Sequence, residues 1–122
     1  DISDNRLELA SSFGFKAVAS GSDDMREWHR GADLVVEATG VPAVASGLTI
    51  YMANGGKGLF FGVCSSNSKI EIGPFEVLRR QLTLVGSHSL NHSIPRASDV
   101  LTGLGETVER AVSHKLPLRD IA

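Results

Sequence analysis

The sequence predicts an α/β domain built on a doubly wound parallel sheet. Three continuous apolar runs, at Leu34, Leu59 and Leu82, are rich in β-branched and aromatic residues, which is typical of strands buried on both faces. Segments with the apolar spacing of helices separate these runs, and strands that alternate with helices of this length pair in parallel. The 122 residues, 42% of them apolar, fit one globular domain. We therefore expect the three runs to form adjacent parallel strands, with the run at Leu34 in the centre of the sheet.

Local signals mark where the predicted elements begin and end. Ser22 precedes two aspartates as a possible helix N-cap, Pro42 stands in the first turn of a helix, and Asn54-Gly55-Gly56 offers residues that tolerate the left-handed conformation at a helix end. In chain order, the pattern predicts a helix over 4–13, a short strand over 17–19, a helix over 23–31, a strand over 33–38, a helix over 41–52, a strand over 58–63, a short exposed strand over 69–72, two helical turns over 74–80, a strand over 82–86, a helix from Pro95 and another over 106–112.

An acidic residue, Glu37, lies within the apolar run at Leu34. Burying a carboxylate without a partner is costly. We therefore expect the Glu37 side chain to reach a hydrogen-bond donor near the end of the strand.

Charge and composition argue against several classes of protein. The formal net charge is -2 and no basic stretch exceeds two residues, so we expect no nucleic-acid partner. The uncharged stretch 38–54 contains Thr, Ser, Pro, Gly and Asn, so we expect no spanning helix and no membrane partner. Cys64 is the one cysteine, which excludes an internal disulfide and favours a reducing, cytoplasmic location. The first residue is not Met and falls against a helical pattern, so we expect a piece of a longer protein.

Ligands of such a sheet bind beyond the carboxyl ends of its strands. Four of these ends are predicted, at Asp1, Ala38-Thr39-Gly40, Gly62-Val63-Cys64 and Gly86-Ser87-His88. A glycine at the turn lets the backbone approach a ligand closely because no Cβ intervenes. The same glycines would equally serve short turns between strand and helix, so the spacing alone leaves a ligand site and a plain turn both open.

These strand ends belong to a longer ordered set of segments. The set comprises DISDNRLELA over 1–10, ADLVVEATGVP over 32–42, Gly55-Gly56 ahead of FFGV over 60–63, and LVGS over 84–87. In this order and spacing the chain resembles the medium-chain, zinc-type alcohol dehydrogenase family, and specifically the second half of its Rossmann-like nicotinamide-dinucleotide domain. The tail over 116–122 looks like the segment that leads back to that family's catalytic domain. The resemblance implies that 1–122 is a partial cofactor-binding domain, which lacks the first strand and the glycine-rich loop.

The resemblance also implies which residues hold the cofactor, NAD. Asp1 matches the acidic residue that accepts hydrogen bonds from the adenosine ribose hydroxyls, which favours NAD over NADP because a 2′-phosphate would face a like charge. Arg6 matches a basic side chain near the ribose and phosphates, and a solvated helix residue is the plain alternative. The remaining positions would line the adenosine half (Ala38, Thr39, Gly40) and the nicotinamide half (Phe61, Gly62, Val63, Ser87, His88, Ser89).

Two parts of the family pattern are missing from the chain. The phosphate loop G-x-G-x-x-G between a strand and a helix is absent, because Gly55-Gly56-Lys57-Gly58 leads into a strand. The Cys, His and acidic ligands of the family's catalytic zinc are absent too, and the resemblance puts zinc in a separate domain. His88 and His92 straddle a predicted strand exit before Pro95, so we interpret them as loop residues rather than a metal pair. We therefore assign no catalytic or metal-binding residue, and expect the 122 residues alone to be inactive and to bind cofactor poorly.

The resemblance implies that the full-length protein is an oxidoreductase, which transfers a hydride between a small alcohol or polyol and nicotinamide. The 88–95 stretch looks nearest to the sorbitol and polyol branch of the family. Residues 69–72 occupy the place of a strand that pairs across a twofold axis in that family, which implies a homodimer or homotetramer. Two alternatives from other classes stay open, a non-catalytic Rossmann-like binding or regulatory module and a methyltransferase-like domain.

Overall fold

The computed structural model describes residues 1–89 and 92–121. Leu90, Asn91 and Ala122 lie outside the described residues, and with them part of the 88–95 stretch and the last residue of the 116–122 tail. The chain divides into two compact units, Asp1–His88 and Ser89–Ala122. In the first unit, the elements in chain order are α1 (Asp4–Ser12), a 3-10 helix (Asp23–Trp28), β1 (Ala32–Glu37), α2 (Pro42–Ser46), α3 (Leu48–Tyr51), β2 (Met52–Phe60), α4 (Pro74–Arg79) and β3 (Thr83–Gly86).

The three strands form one parallel sheet in the order β1-β2-β3. Val36 of β1 lies opposite Leu59 of β2, which in turn lies opposite Val85 of β3. The prediction of adjacent parallel strands at the runs of Leu34, Leu59 and Leu82 is confirmed, with Leu82 directly before β3. Because the strands run in the same direction, their carboxyl ends meet at one edge of the sheet.

The strand expected in the centre of the sheet is an edge strand instead. β1 pairs with β2 on one side, and within residues 1–89 and 92–121 no strand pairs with its other side. Leu34 and Val36 are correspondingly 61% and 47% exposed. The central strand is β2. An apolar run predicts a strand, but its place in the sheet depends on the strands available to pair with it.

The single helix predicted over 41–52 is interrupted. Gly47 separates α2 from α3, and β2 already begins at Met52. The Asn54-Gly55-Gly56 segment, expected to end a helix, therefore lies inside β2, where the register against β1 shifts through an irregularity.

Arg80 holds this irregular start of β2 in place. Its side chain is 4% exposed and donates hydrogen bonds to the carbonyl oxygens of Thr49, at 3.0 Å, and Met52, and to Oδ1 of Asn54 at 3.3 Å. The Arg80 carbonyl oxygen accepts a hydrogen bond from the Gly55 N–H at 2.7 Å. A buried guanidinium must find acceptors for its donors, so these contacts fix where the helix ends and the strand begins.

The core of the first unit lies between α3, β2 and the start of β3. Leu48, Met52 and Leu82 form a buried cluster, against which half-buried side chains of the strands and of α4 pack (Val35, Phe60, Val77 and Leu84). Gly58 of β2 leaves room for this cluster, because a Cβ there would lie 2.7 Å from Leu48 Cδ2 and 2.9 Å from Met52 Sδ. The core thus fixes α3 against the sheet.

Two predicted short strands are not formed. The 17–19 segment makes a parallel-type pair of hydrogen bonds with one residue, since Asp1 N donates to the Val18 oxygen at 3.1 Å and Ser20 N donates to the Asp1 oxygen at 2.8 Å. A single paired residue is too short for a strand. Residues 69–72 are in no strand either, because no segment that the structure describes pairs with them.

The second unit is helical in its described part. α5 spans Ile94–Leu104, and 3-10 helices follow over Gly105–Ala111 and Leu118–Asp120. The helices predicted from Pro95 and over 106–112 are therefore present, the second as a 3-10 helix. Within the described residues, no helix is both long and apolar enough to cross a membrane.

Candidate functional site

The carboxyl ends of the three strands are joined by backbone hydrogen bonds. The N–H groups of Phe61 and Gly62 donate to the Glu37 carbonyl oxygen at 2.9 and 2.7 Å. The Ser87 N–H donates to the Phe60 carbonyl oxygen at 3.1 Å. The turns that follow β1, β2 and β3 therefore lie side by side at one edge of the sheet.

Two glycines allow the turns after β1 and β2 to touch. Gly40 has a φ of +69°, and a Cβ on it would lie 2.8 Å from the Val63 carbonyl carbon. A Cβ on Gly62 would lie 2.7 Å from Glu37 Oε2. Both distances are well inside van der Waals contact. At these two glycines the facing turn occupies the position that a Cβ would need. A Cβ on Gly86, in contrast, would meet nothing within 4 Å.

Glu37 lies at the centre of this contact. The residue is 3% exposed, and its Oε1 accepts hydrogen bonds from the Thr39 N–H at 2.6 Å, the Thr39 hydroxyl at 2.5 Å and the Gly40 N–H at 3.0 Å. The Thr39 hydroxyl, helped by the two backbone N–H groups, outweighs burial and lowers the pKa of the Glu37 carboxyl below its ordinary value. Glu37 is therefore ionised at neutral pH. The expectation that it reaches donors near the strand end is confirmed.

The second carboxylate oxygen of Glu37, Oε2, is buried and has no hydrogen-bond partner among the residues that the structure describes. It lies beside Gly62, at the junction of the first two turns. Buried acceptors in native proteins are nearly always hydrogen-bonded, so this oxygen is an exception among the residues that the structure describes.

Apolar side chains are exposed at the same edge. Phe61 is 60% exposed and Val63 is 93% exposed. Ser87 and His88 are exposed as well, just beyond the end of β3. Exposed apolar surface next to backbone polar groups is typical of sites for small ligands that carry hydrogen-bonding substituents.

Asp1 and Arg6 form a separate pair at the start of α1. Arg6 Nη1 lies 3.7 Å from Asp1 Oδ2, and Asp1 Oδ1 accepts hydrogen bonds from the N–H groups of Ile2 at 2.7 Å and Ser3 at 3.0 Å. The parallel-type pairing of Asp1 with the 18–20 segment gives Asp1 the backbone environment of a strand-end residue. Its side chain is 37% exposed, so the carboxylate is accessible to a ligand.

The predicted site residues thus fall in different places. The joined strand ends carry Ala38, Thr39, Gly40, Phe61, Gly62, Val63 and Ser87, with His88 directly after them, whereas Asp1 and Arg6 pair at α1 and Ser89 opens the second unit. Sequence reasoning did not include Glu37 in the site. The signal that could have placed it there is a carboxylate at the end of an apolar strand, two residues before a Thr-Gly turn.

The described residues do not fit a zinc site. Within 1–89 and 92–121, no three His, Cys, Asp or Glu side chains lie close enough together to hold a metal ion. Cys64 is a free thiol of intermediate exposure.

Comparison with known proteins places the chain in a family. Residues 1–103 match the family described as zinc-binding dehydrogenase. The chain is 45% identical over 121 residues to D-altritol 5-dehydrogenase of Agrobacterium fabrum, which covers 99% of this chain and 36% of that protein. Among solved structures, the alcohol dehydrogenase TADH of Thermus sp. ATN1 has a TM-score of 0.81 at 30% identity, covering 97% of this chain and 36% of that one. A Sinorhizobium meliloti 1021 protein, described as a zinc-binding dehydrogenase and bound to NADP, has a TM-score of 0.75 at 29% identity, covering 84% of this chain and 33% of that one.

The chain spans about a third of the length of these relatives. The structural matches show that its parallel sheet is part of a Rossmann-like domain, as the sequence predicted, and they lend no support to the methyltransferase-like alternative. The family match runs through the whole sheet and all three joined strand ends. This chain therefore belongs to the zinc-binding dehydrogenase family.

Proposed function

We propose that this chain supplies part of the nicotinamide-cofactor site of a dehydrogenase that acts on an alcohol or polyol. The observation that carries the proposal is the junction of three strand ends around the buried Glu37 carboxylate, in a chain that belongs to a dehydrogenase family. Ligands of doubly wound sheets bind beyond these ends. The activity of the whole protein is part of the proposal, because the chain spans about a third of its relatives.

The proposed contacts divide between the two halves of the cofactor. The adenosine half would lie against Asp1, Arg6, Ala38, Thr39 and Gly40, and the nicotinamide half against Phe61, Gly62, Val63, Ser87, His88 and Ser89. The exposed side chains of Phe61 and Val63 support the second assignment, since a bound ring would remove their apolar surface from water.

The role of this chain in the reaction is to orient the nicotinamide ring and to shield it from water. When bound, nicotinamide supplies hydride transfer. The backbone of the joined turns would fix the ring's substituents, and Phe61 and Val63 would exclude water from one side of it. We assign no proton-transferring residue to this chain, and we place the zinc of the family in a domain outside it.

We propose NAD rather than NADP as the cofactor. The Asp1 carboxylate can accept hydrogen bonds from ribose hydroxyls, whereas a 2′-phosphate would bring two negative charges into contact. Asp1 Oδ1 is tied to the N–H groups of Ile2 and Ser3, so the carboxylate cannot turn away without losing these bonds. Arg6 lies 3.7 Å from Asp1 Oδ2 and 73% of its side chain is exposed. It can pair with a 2′-phosphate and so offset part of the repulsion from Asp1. The relative from Sinorhizobium meliloti was bound to NADP, so the two cofactors need direct comparison.

The substrate class that we propose is a polyol. Support comes from the 45% identity to a dehydrogenase named for the sugar alcohol D-altritol. We also propose a homodimer or homotetramer formed through residues 69–72, where Ile70 and Ile72 alternate with charged residues and the backbone pairs with no strand among the residues that the structure describes. The free thiol of Cys64 supports a reducing, cytoplasmic location.

Calorimetric titration of the protein that carries this chain tests the proposal. We expect NAD to bind with the higher affinity of the two cofactors, by about a hundredfold before any offset by Arg6. We also expect reduced cofactor to form when a panel of sugar alcohols is supplied with NAD. Binding of neither cofactor would overturn the proposal and favour the non-catalytic module.

A further inference from the structure

We propose that Glu37 is a positioning residue of the cofactor site, whose carboxylate holds the turn after β1 in the geometry that cofactor binding requires. The inference rests on the function proposed above. A buried side chain that does not itself contact the cofactor would thus fix the shape of the turn that does.

The first argument is the number of donors on one oxygen. Oε1 of Glu37 accepts from the Thr39 N–H, the Thr39 hydroxyl and the Gly40 N–H, at 2.6, 2.5 and 3.0 Å. Three donors that converge on one buried oxygen repel each other, and a negative charge on that oxygen offsets the repulsion by attracting all three. Charge-assisted bonds of this length are the strong ones. The ionised carboxylate therefore determines where the Thr39–Gly40 turn lies.

The second argument is that Glu37 also controls the turn after β2. Its backbone carbonyl oxygen accepts from the N–H groups of Phe61 and Gly62 at 2.9 and 2.7 Å, while its Oε2 lies beside Gly62. One residue thus touches both turns, through its carboxylate on one side and its main chain on the other. Because the main-chain bonds hold the second turn, a change in the side chain should move the first turn relative to it.

The third argument is that an amide cannot replace the carboxylate. If the Gln oxygen took the place of Oε1, the Gln nitrogen would take the place of Oε2, which is buried and has no partner among the residues described. Its two hydrogens would then lack acceptors. If the amide were reversed, the nitrogen would face the donors of Thr39 and Gly40. The first orientation leaves two buried donors unsatisfied and the second loses the hydrogen bonds to Thr39 and Gly40, so charge and not shape is what the position needs.

The bond network continues toward α2. The Thr39 hydroxyl donates to Glu37 Oε1 and at the same time accepts from the Val41 N–H at 3.1 Å. Val41 directly precedes α2. The Thr39 hydroxyl is therefore the link through which the carboxylate sets the direction of the chain after the turn.

The main test compares Glu37→Gln with Glu106→Gln, which makes the same chemical change at an exposed position of the second unit. In the cofactor-free protein, we expect the amide protons of Thr39 and Gly40 to exchange with solvent at least about tenfold faster in Glu37→Gln. With cofactor added, we expect the Kd for NAD to rise at least about tenfold and the KM for NAD to rise with it, while the KM for the alcohol stays unchanged. Glu106→Gln should match the wild type in every measurement.

A second pair of variants covers the case in which Glu37→Gln does not fold. Thr39→Val removes the hydroxyl from an exposed residue at nearly constant volume, and Thr39→Ser keeps the hydroxyl. We expect Thr39→Val to weaken NAD binding and to speed hydrogen exchange at the Gly40 amide. Thr39→Ser should keep the NAD affinity and the exchange rate of the wild type. A direct contact of the Thr39 methyl group with cofactor would instead weaken binding in Thr39→Ser, which lacks the methyl, and leave it unchanged in Thr39→Val, which keeps it; that result would overturn the proposal.

The outcomes separate this proposal from the proposed function. Wild-type protein that binds neither NAD nor NADP refutes the function, and the exchange rates of Thr39 and Gly40 then still report on the turn. Wild-type protein that binds NAD, together with Glu37→Gln or Thr39→Val variants that bind it equally well, refutes the positioning role and leaves the function intact. Equal loss of NAD affinity and alcohol affinity in Glu37→Gln would indicate general damage to the fold, and would also count against the positioning role.

Discussion

Replacing Gly62 by Ala should test the contact between the turns after β1 and β2. A Cβ on Gly62 would lie 2.7 Å from Glu37 Oε2 and 2.9 Å from the Thr39 nitrogen, so each contact falls roughly 1 Å short of a comfortable separation. The Thr39 nitrogen is backbone held by Glu37, which means that the clash cannot be relieved by rotating a side chain. The turn has to open.

The cost of this opening follows from two contributions. Overpacking against fixed backbone costs about 1–3 kcal/mol. Stretching or losing one charge-assisted hydrogen bond to Glu37 adds about 1.5–3 kcal/mol. We therefore expect Gly62→Ala to lower the free energy of unfolding by about 2.5–6 kcal/mol, a large fraction of the total for a domain of this size.

Gly86→Ala is the matched control, because Gly86 ends the neighbouring strand at the same edge and a Cβ on it would meet nothing within 4 Å. It should change the free energy of unfolding by no more than about 0.5 kcal/mol. Urea unfolding followed by circular dichroism measures both variants, with an unchanged m-value showing that the same transition is observed. Equal midpoints for the two variants would refute the interlocked geometry of the strand ends.

Further predictions concern cofactor choice, acid stability and association. Asp1→Asn should reduce the preference for NAD over NADP by about tenfold or more in calorimetric titrations, whereas Asp33→Asn, at the opposite end of the sheet, should not; an unchanged ratio in Asp1→Asn would contradict the role of Asp1. Because the Glu37 pKa is lower in the folded than in the unfolded chain, its contribution to stability is complete at neutral pH and is lost as the pH falls below about 4. The wild type should therefore lose more stability than Glu37→Gln between neutral pH and about pH 3 in urea titrations, and parallel curves would oppose this account. Replacing Ile70 and Ile72 by Lys should shift sedimentation toward the monomer, and an unchanged mass would argue against pairing through 69–72.

The strands and their direction could be predicted from the sequence because the signal is local and strong. Each of the β-branched and aromatic runs at Leu34, Leu59 and Leu82 can be recognised as a strand from its own residues alone. The helical segments between the runs favour parallel pairing. The position of each strand in the sheet is not local. Whether β1 lies at the edge or in the centre depends on which other segments pair with it, and among the described residues only β2 does.

The start of β2 could not be predicted for a different reason. Asn54-Gly55-Gly56 has the composition of a helix end, and local propensity favours that interpretation. The buried Arg80 side chain overrides it through hydrogen bonds to Thr49, Met52 and Asn54, which lie 26 to 31 residues away along the chain. Nothing in the segment itself indicates this partner.

The residues at the joined strand ends could be named from the sequence, whereas the part that Glu37 plays among them could not. The strand-end residues Thr39, Gly40 and Gly62 could be named from the turn pattern and the family resemblance. Glu37 was expected only to satisfy its own charge. Its control of both turns depends on the distance between two strand ends, which is a property of the folded sheet.

A search for contact between bound cofactor and the exposed Val63 methyl groups tests the central claim most directly. The measurement is an intermolecular nuclear Overhauser effect between the nicotinamide ring protons and methyl-labelled valines in the NAD-bound protein that carries this chain. We predict a signal to Val63, which is 93% exposed beyond the end of β2, and none to Val36, which is 47% exposed on the outer strand. Bound NAD that gives a signal to Val36 and none to Val63 would contradict the account.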